Sequence, residues 1–228
     1  MLPGLPVPQC ARTHRTDHTS IPRGPGPRLA QVRLAHNPGM EEAESATHLH
    51  AAPLARVNVA FLLAHPANFI ALGFGSGLSR WAPGTSGTLW AWMAFLAMQA
   101  WLGPAQIAWV IALSWPLGWW ACSRCARHMR VLDPGSIVWD EVAAFWLVLW
   151  LVTPAGLVAQ LAAFVLFRFF DAVKPGPVAW ADRLFHGVDV GRDPQAWNKA
   201  GLGIMLDDLV AAFCTLLVFA LWTRWSAP

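Results

Sequence analysis

The chain has no tyrosine, few charges and no cysteine framework. Only 13% of its 228 residues are charged, about half the share of an ordinary soluble domain. The formal net charge of +3 is too small to argue for a nucleic-acid partner. Cys10, Cys122, Cys125 and Cys214 form no secreted disulfide pattern. Cys122 and Cys125 have CxxC spacing, but no second pair completes a zinc site, and they read as small residues at a helix end. Neither has an arginine six residues on, which rules out a cysteine-phosphatase loop, and no Asp-x-Asp nucleophile motif occurs. Paired half-repeats, expected of a transporter, are also lacking.

What is abundant is apolar: 56% of residues are hydrophobic and 15 are tryptophan. The expectation is an all-α, polytopic membrane bundle of about five apolar helices with a Gly-rich cytoplasmic loop. Residues 1–56 stand apart. They are rich in proline, arginine and histidine without apolar periodicity, and read as a disordered tail or an artefact of start-site choice, with Met40 an alternative start. No uninterrupted apolar core follows the early basic residues, so no signal peptide is expected. Residues 57–228 read as one integral membrane domain.

Within that domain, 57–72 is apolar but broken at His65-Pro66, predicting an interfacial or re-entrant helix with His65 at the interface. Residues 73–88 hold five glycines, a proline and five hydroxyl residues, which predicts a loop feeding a helix. Glycines there let the backbone approach an anion, and a helix N-terminus favours one. Apolar helices are predicted at 88–102, 105–121, 137–152, 157–170 and 203–222. Uncharged turns lie at 103–104 and 153–156, a basic loop carries Arg124, Arg127 and Arg130, and a polar loop spans 173–202. All basic loops fall on one side, which the positive-inside rule makes cytoplasmic. Trp101, Trp119, Trp120, Trp150, Trp222 and Trp225 fall near the predicted helix ends, as interfacial anchors do. Several helices are short for a span of roughly 20 residues.

The charges inside this apolar frame are few and grouped. Arg168, Asp171 and Lys174 stand three residues apart at a helix end that Pro175 terminates. They present either a functional site or arginine and lysine snorkelling to headgroups. Asp140-Glu141 and Asp207-Asp208 each lie about one turn inside an apolar helix, where carboxylates are costly without a cation. Adjacent helical residues diverge by about 100°, so one member of each pair is expected to face a given site. Alternating helix direction brings all these features and the Gly-rich loop to one face. There, carboxylates from three helices suit a hard divalent cation such as Mg²⁺, and Arg168 and Lys174 suit phosphate oxygens.

The ordered motifs Gly73–Ser79 through Ala82–Thr85, Gly135–Glu141, Phe167–Asp171 with Lys174-Pro175, and Gly203–Asp208 resemble the phosphatidylglycerophosphatase A family over about residues 66–222. The resemblance implies an Mg²⁺-dependent phosphatase of the bacterial inner membrane, multi-pass, with its active site on the cytoplasmic face. It would convert phosphatidylglycerophosphate to phosphatidylglycerol. On this reading the catalytic residues are Asp171, Asp140, Glu141, Arg168 and Lys174. The phosphate binders are Arg168, Lys174, Gly75, Ser76, Gly84 and Thr85, and the metal ligands Asp140, Glu141, Asp171, Asp207 and Asp208. Water attack beside the metal and an aspartyl-phosphate on Asp171 both remain open. Gly176 replaces the family's aromatic between two prolines, and residues 188–199 look inserted. A CDP-alcohol phosphatidyltransferase is the rival enzyme, but its Asp-Gly and Ala-Arg signature is missing.

Overall fold

A computed structural model describes residues 57–185 and 188–226; the reading of residues 1–56 lies outside them. Every regular element among the described residues is a helix. The apolar stretch at the start is two short helices, α1 (Val59–Leu63) and α2 (Pro66–Ala71), where one was expected. Pro66 cannot continue α1 but suits the first position of α2. His65 caps α2, accepting from Ala67 N at 3.0 Å.

A 3-10 turn at Gly73–Leu78 leads to α3, Pro83–Trp101. This helix begins in what read as a glycine loop. Pro83 presets its first turn, and Thr88 Oγ1 donates back to Gly84 O at 2.9 Å. Next, α4 (Pro104–Met129) runs for 26 residues and absorbs Arg124 and Arg127. These arginines extend the helix instead of opening a loop, since cations near a C-terminus favour it. Arg130 closes it in the left-handed conformation at φ 57°. Cys122 and Cys125 are therefore buried inside a helix, and Trp119 and Trp120 sit well before its end.

The bundle is completed by α5 (Trp139–Val152), α6 (Leu157–Val173), α7 (Pro177–Arg183) and α8 (Ala196–Ser226). The predicted polar loop thus contains α7 and the first turns of α8. Gly176, before α7, takes φ 45° and ψ −100°, a turn that an aromatic side chain would resist.

The predicted boundaries of α3, α4, α6 and α8 were too tight, which accounts for most of the apparent shortness, whereas α5 begins later than expected, at Trp139 and not Ile137. The 19 residues of α3 give about 28 Å of rise. The 14-residue α5 stays short because it is the centre, enclosed by α3, α4 and α8. It is apolar on all sides for that reason. Two buried indoles fix it: Trp139 Nε1 donates to Ser114 O at 3.0 Å and Trp146 Nε1 to Ala91 O at 2.8 Å. Around it, α8 packs against α4, α5, α6 and α7. Among the described residues one helix, Ala196–Trp225, is long and apolar enough to cross a membrane by length and composition.

Candidate active site

The end of α6 turns its charges inward. Arg168 pairs with Asp171 one turn on, and its Nη1 lies 3.5 Å from Glu141 Oε1 and 3.5 Å from Thr88 Oγ1. Its side chain is 19% exposed. A snorkelling arginine would extend toward headgroups, so that alternative does not hold for Arg168. Lys174 caps α6 in the left-handed conformation, at φ 47°. Its ammonium donates to Asp182 of α7 and, at 2.6 Å, to Asp207 of α8. Burial opposes the charge on Lys174, but those two carboxylates outweigh it and hold its pKa above the ordinary lysine range.

Beside these ion pairs lies a group of carboxylates. One oxygen from each of Asp140, Glu141 and Asp208 falls within 4.8 Å of the others. Asp140 and Glu141 occupy the first turn of α5, while Asp208 lies about three turns into α8. The two acidic pairs therefore lie at different distances from their helix starts, because α8 starts at Ala196, yet they meet at one level of the bundle. Both members of the first pair enter the cluster. The second pair divides as the helical angle requires, Asp208 to the carboxylates and Asp207 to Lys174. Asp171 is tied to Arg168 and neighbours Asp208.

The group is unsatisfied as it stands. Among the described residues, Asp140 Oδ1, Glu141 Oε2 and Asp208 Oδ2 are buried without a hydrogen-bond partner, and so is the donor Arg168 Nε. Buried acceptors left unpaired are costly. Three carboxylates converging with spare oxygens could hold a hard cation. A spare guanidinium N–H alongside is the complement of an anion.

The glycine-rich segment divides in two. Gly84, at the start of α3, lies against the site. A Cβ there would collide with Glu141 Oε1 and come within 2.9 Å and 3.0 Å of the Arg168 guanidinium nitrogens. Thr85 follows it in the first turn of α3 and is exposed. Gly75 and Ser76 belong to the earlier turn, where the Ser76 hydroxyl donates to Gly73 O at 2.8 Å and Gly75 faces Leu62. Two further residues at the site, Asp182 and Thr88, escaped the sequence reading. Asp182 was hidden in a stretch that read as polar loop, and Thr88 in the apolar run of α3.

Among the described residues, carboxylates and cations from several helices gather in one place in the bundle, which is the plan of an enzyme site. The family model for phosphatidylglycerophosphatase A matches residues 69–223, and the chain belongs to that family. A phosphatidylglycerophosphatase A of Escherichia coli K12 is 38% identical over 154 residues, covering 65% of this chain and 78% of its own. One from Haemophilus influenzae Rd is 37% identical over 160 residues, covering 70% and 90%. A Bacteroides thetaiotaomicron protein, provisionally named a phosphatidylinositol-3-phosphatase, is 32% identical over 163 residues, covering 68% and 92%. No solved structure matches the chain.

Proposed function

We propose that this chain is an Mg²⁺-dependent phosphoric monoester hydrolase that converts phosphatidylglycerophosphate to phosphatidylglycerol and phosphate. The observation carrying the proposal is the pairing of opposites at one site. Three buried carboxylate oxygens, and the buried Arg168 Nε of the same site, have no hydrogen-bond partner among the described residues. Membership of the family supplies the substrate.

Asp140, Glu141 and Asp208 would hold Mg²⁺. When bound, it would neutralise charge on the phosphoryl group and lower the pKa of a coordinated water. Arg168 binds phosphoryl oxygens through its fork, and Asp171 orients that fork. Lys174, held between Asp182 and Asp207, adds a second positive charge to the phosphoryl group as negative charge develops on it. The start of α3 at Gly84 and Thr85 approaches the phosphate with backbone N–H groups. Gly75 and Ser76 shape the preceding turn. In the hydrolysis, water oxygen bonds to phosphorus, the ester P–O bond breaks, and the lipid alkoxide leaves with a proton. The water route is favoured over an aspartyl-phosphate because Asp171 is already engaged with Arg168.

The domain from 57 to 228 is read as multi-pass, in the bacterial inner membrane, with the site on the cytoplasmic face. Large apolar side chains recur at helical spacing on the outer faces: Leu157, Leu161, Val165 and Phe169 on α6, and Phe213, Leu217 and Leu221 on α8. Water would not tolerate such continuous stripes, and a bilayer solvates them. The test is phosphate release by purified protein from phosphatidylglycerophosphate and from phosphatidylinositol 3-phosphate, with and without Mg²⁺. Release from the first, dependent on Mg²⁺, is expected. Metal-independent release, or preference for the second lipid, overturns the assignment.

A further inference from the structure

The structure assigns a second anion site to this chain: a basic hollow at the end of α4 that holds the phosphate of an anionic phospholipid. The hollow has a volume of about 650 Å³ and is lined by Arg127, His128, Arg130, Val190 and Trp197. It shares no lining residue with the charged centre at Arg168, and it does not rest on the phosphatase reading.

Three observations converge on it. First, the cations are uncompensated. Among the described residues no carboxylate pairs with Arg127 or Arg130, although acids lie in the segment that walls the hollow. Those acids are taken by that segment's own cations: Arg192 Nε lies 3.6 Å from Asp189, and Lys199 Nζ 2.6 Å from Asp193. The segment thus lines the hollow through Val190 and Trp197 without pairing its acids with Arg127 or Arg130.

Second, His128 is held in place from beneath. Buried Asn68 donates through Nδ2 to Phe61 O at 2.9 Å, which fixes its Oδ1 as an acceptor. His128 Nδ1, 2.8 Å from that oxygen, must then be the donor. That bond orients the imidazole beside Arg127 and Arg130. The His65 ring, 4.9 Å away and edge-on, supports the imidazole from the side.

Third, the wall is amphipathic. Trp197 and Val190 put an indole and an aliphatic side chain beside two guanidinium groups. Arginine forks match phosphate oxygens, and indoles belong at the headgroup level. A lipid phosphodiester satisfies both sides of this hollow, whereas free phosphate satisfies only the arginines. The segment 188–199 and the Arg127–Arg130 pair, otherwise idle in the chemistry, gain a shared role as a lipid clasp.

Native mass spectrometry of the full chain in detergent, titrated with phosphatidylglycerol, tests this. The wild type should retain one more phosphatidylglycerol than R127Q/R130Q, whose affinity at this site should fall at least about tenfold, as expected for losing charge-assisted bonds. Arg127 and Arg130 are exposed, so the single variants R127Q and R130Q keep the test valid if the double variant misfolds. In R168K the lipid sensitive to R127Q/R130Q should persist, which separates this site from the catalytic one. A chase with millimolar inorganic phosphate separates the sources. A lipid that survives it upholds the headgroup, and displacement upholds the anion site with free phosphate as occupant. Equal retention by wild type and R127Q/R130Q, or equal retention of phosphatidylcholine, overturns the proposal.

Discussion

Arg168 Nη1 stands 3.5 Å from Glu141 Oε1, so an ion pair joins the C-terminal part of α6 to the first turn of α5. Each residue keeps one buried atom unpartnered, Nε on Arg168 and Oε2 on Glu141. A pair that satisfied itself would be structural. This one leaves a donor and an acceptor buried and unpaired, which is what the proposed chemistry uses.

Replacing Arg168 by lysine keeps the charge and removes the fork. Turnover of phosphatidylglycerophosphate should drop by about 10²–10³, the usual cost of losing one transition-state donor. The membrane-inserted yield should be unchanged. Wild-type turnover in Arg168→Lys would reduce the end of α6 to a structural anchor.

Asp208→Asn should behave oppositely in two measurements. Activity should fall but recover in part at raised Mg²⁺, because mass action offsets a weakened site. In chelator the same variant should unfold at a higher temperature, since one of three converging buried carboxylates has become neutral. A gain of about 1 kcal/mol corresponds to roughly 2–4 °C. Loss of activity without Mg²⁺ rescue, together with a lower melting temperature, would remove Asp208 from the metal set.

Gly84→Ala forces a methyl group onto Glu141 and the Arg168 guanidinium. Overpacking of this kind costs about 1–3 kcal/mol and displaces both charged groups, so activity should be nearly abolished. Gly135→Ala is the control, because nothing lies within 4 Å of its added Cβ. Equal activity of the two variants in phosphate release would detach α3 from the site.

Lys174 bears on the alkaline behaviour. Its folded pKa is raised, so the stability from its two ion pairs is fully present below the unfolded value of about 10.4. It is lost only as pH rises through the higher folded value. A thermal-stability profile should therefore show no loss assignable to Lys174 between pH 7 and about 10. Lys174→Met should remove the sharp alkaline decline above that range. If Lys174→Met and wild type decline together, Lys174 is not the group titrating.

Single cysteines in a cysteine-free background should report topology. Positions 130 and 190 should label from the cytoplasmic side and position 156 from the other. Labelling of 130 and 156 from one side would break the multi-pass reading.

Much of this was legible in the sequence. Costly carboxylates in apolar helices, a proline-stopped helix end with Arg168 and Lys174, and alternating helix direction placed the chemistry at one end. Those features follow from composition and the 3.6-residue period. Tertiary structure decided the rest. The helix boundaries moved outward because Pro83 and the terminal arginines of α4 are compatible with helix, and local patterning does not separate such residues from loop. Which carboxylates cluster depended on how α5 and α8 rotate against each other, a packing quantity with no local signal. That rotation sent Asp208 to Asp140 and Glu141 and Asp207 to Lys174. Asp182 joined Lys174 only because the chain after Pro175 folds back as α7, and that reversal is fixed by contact with α8.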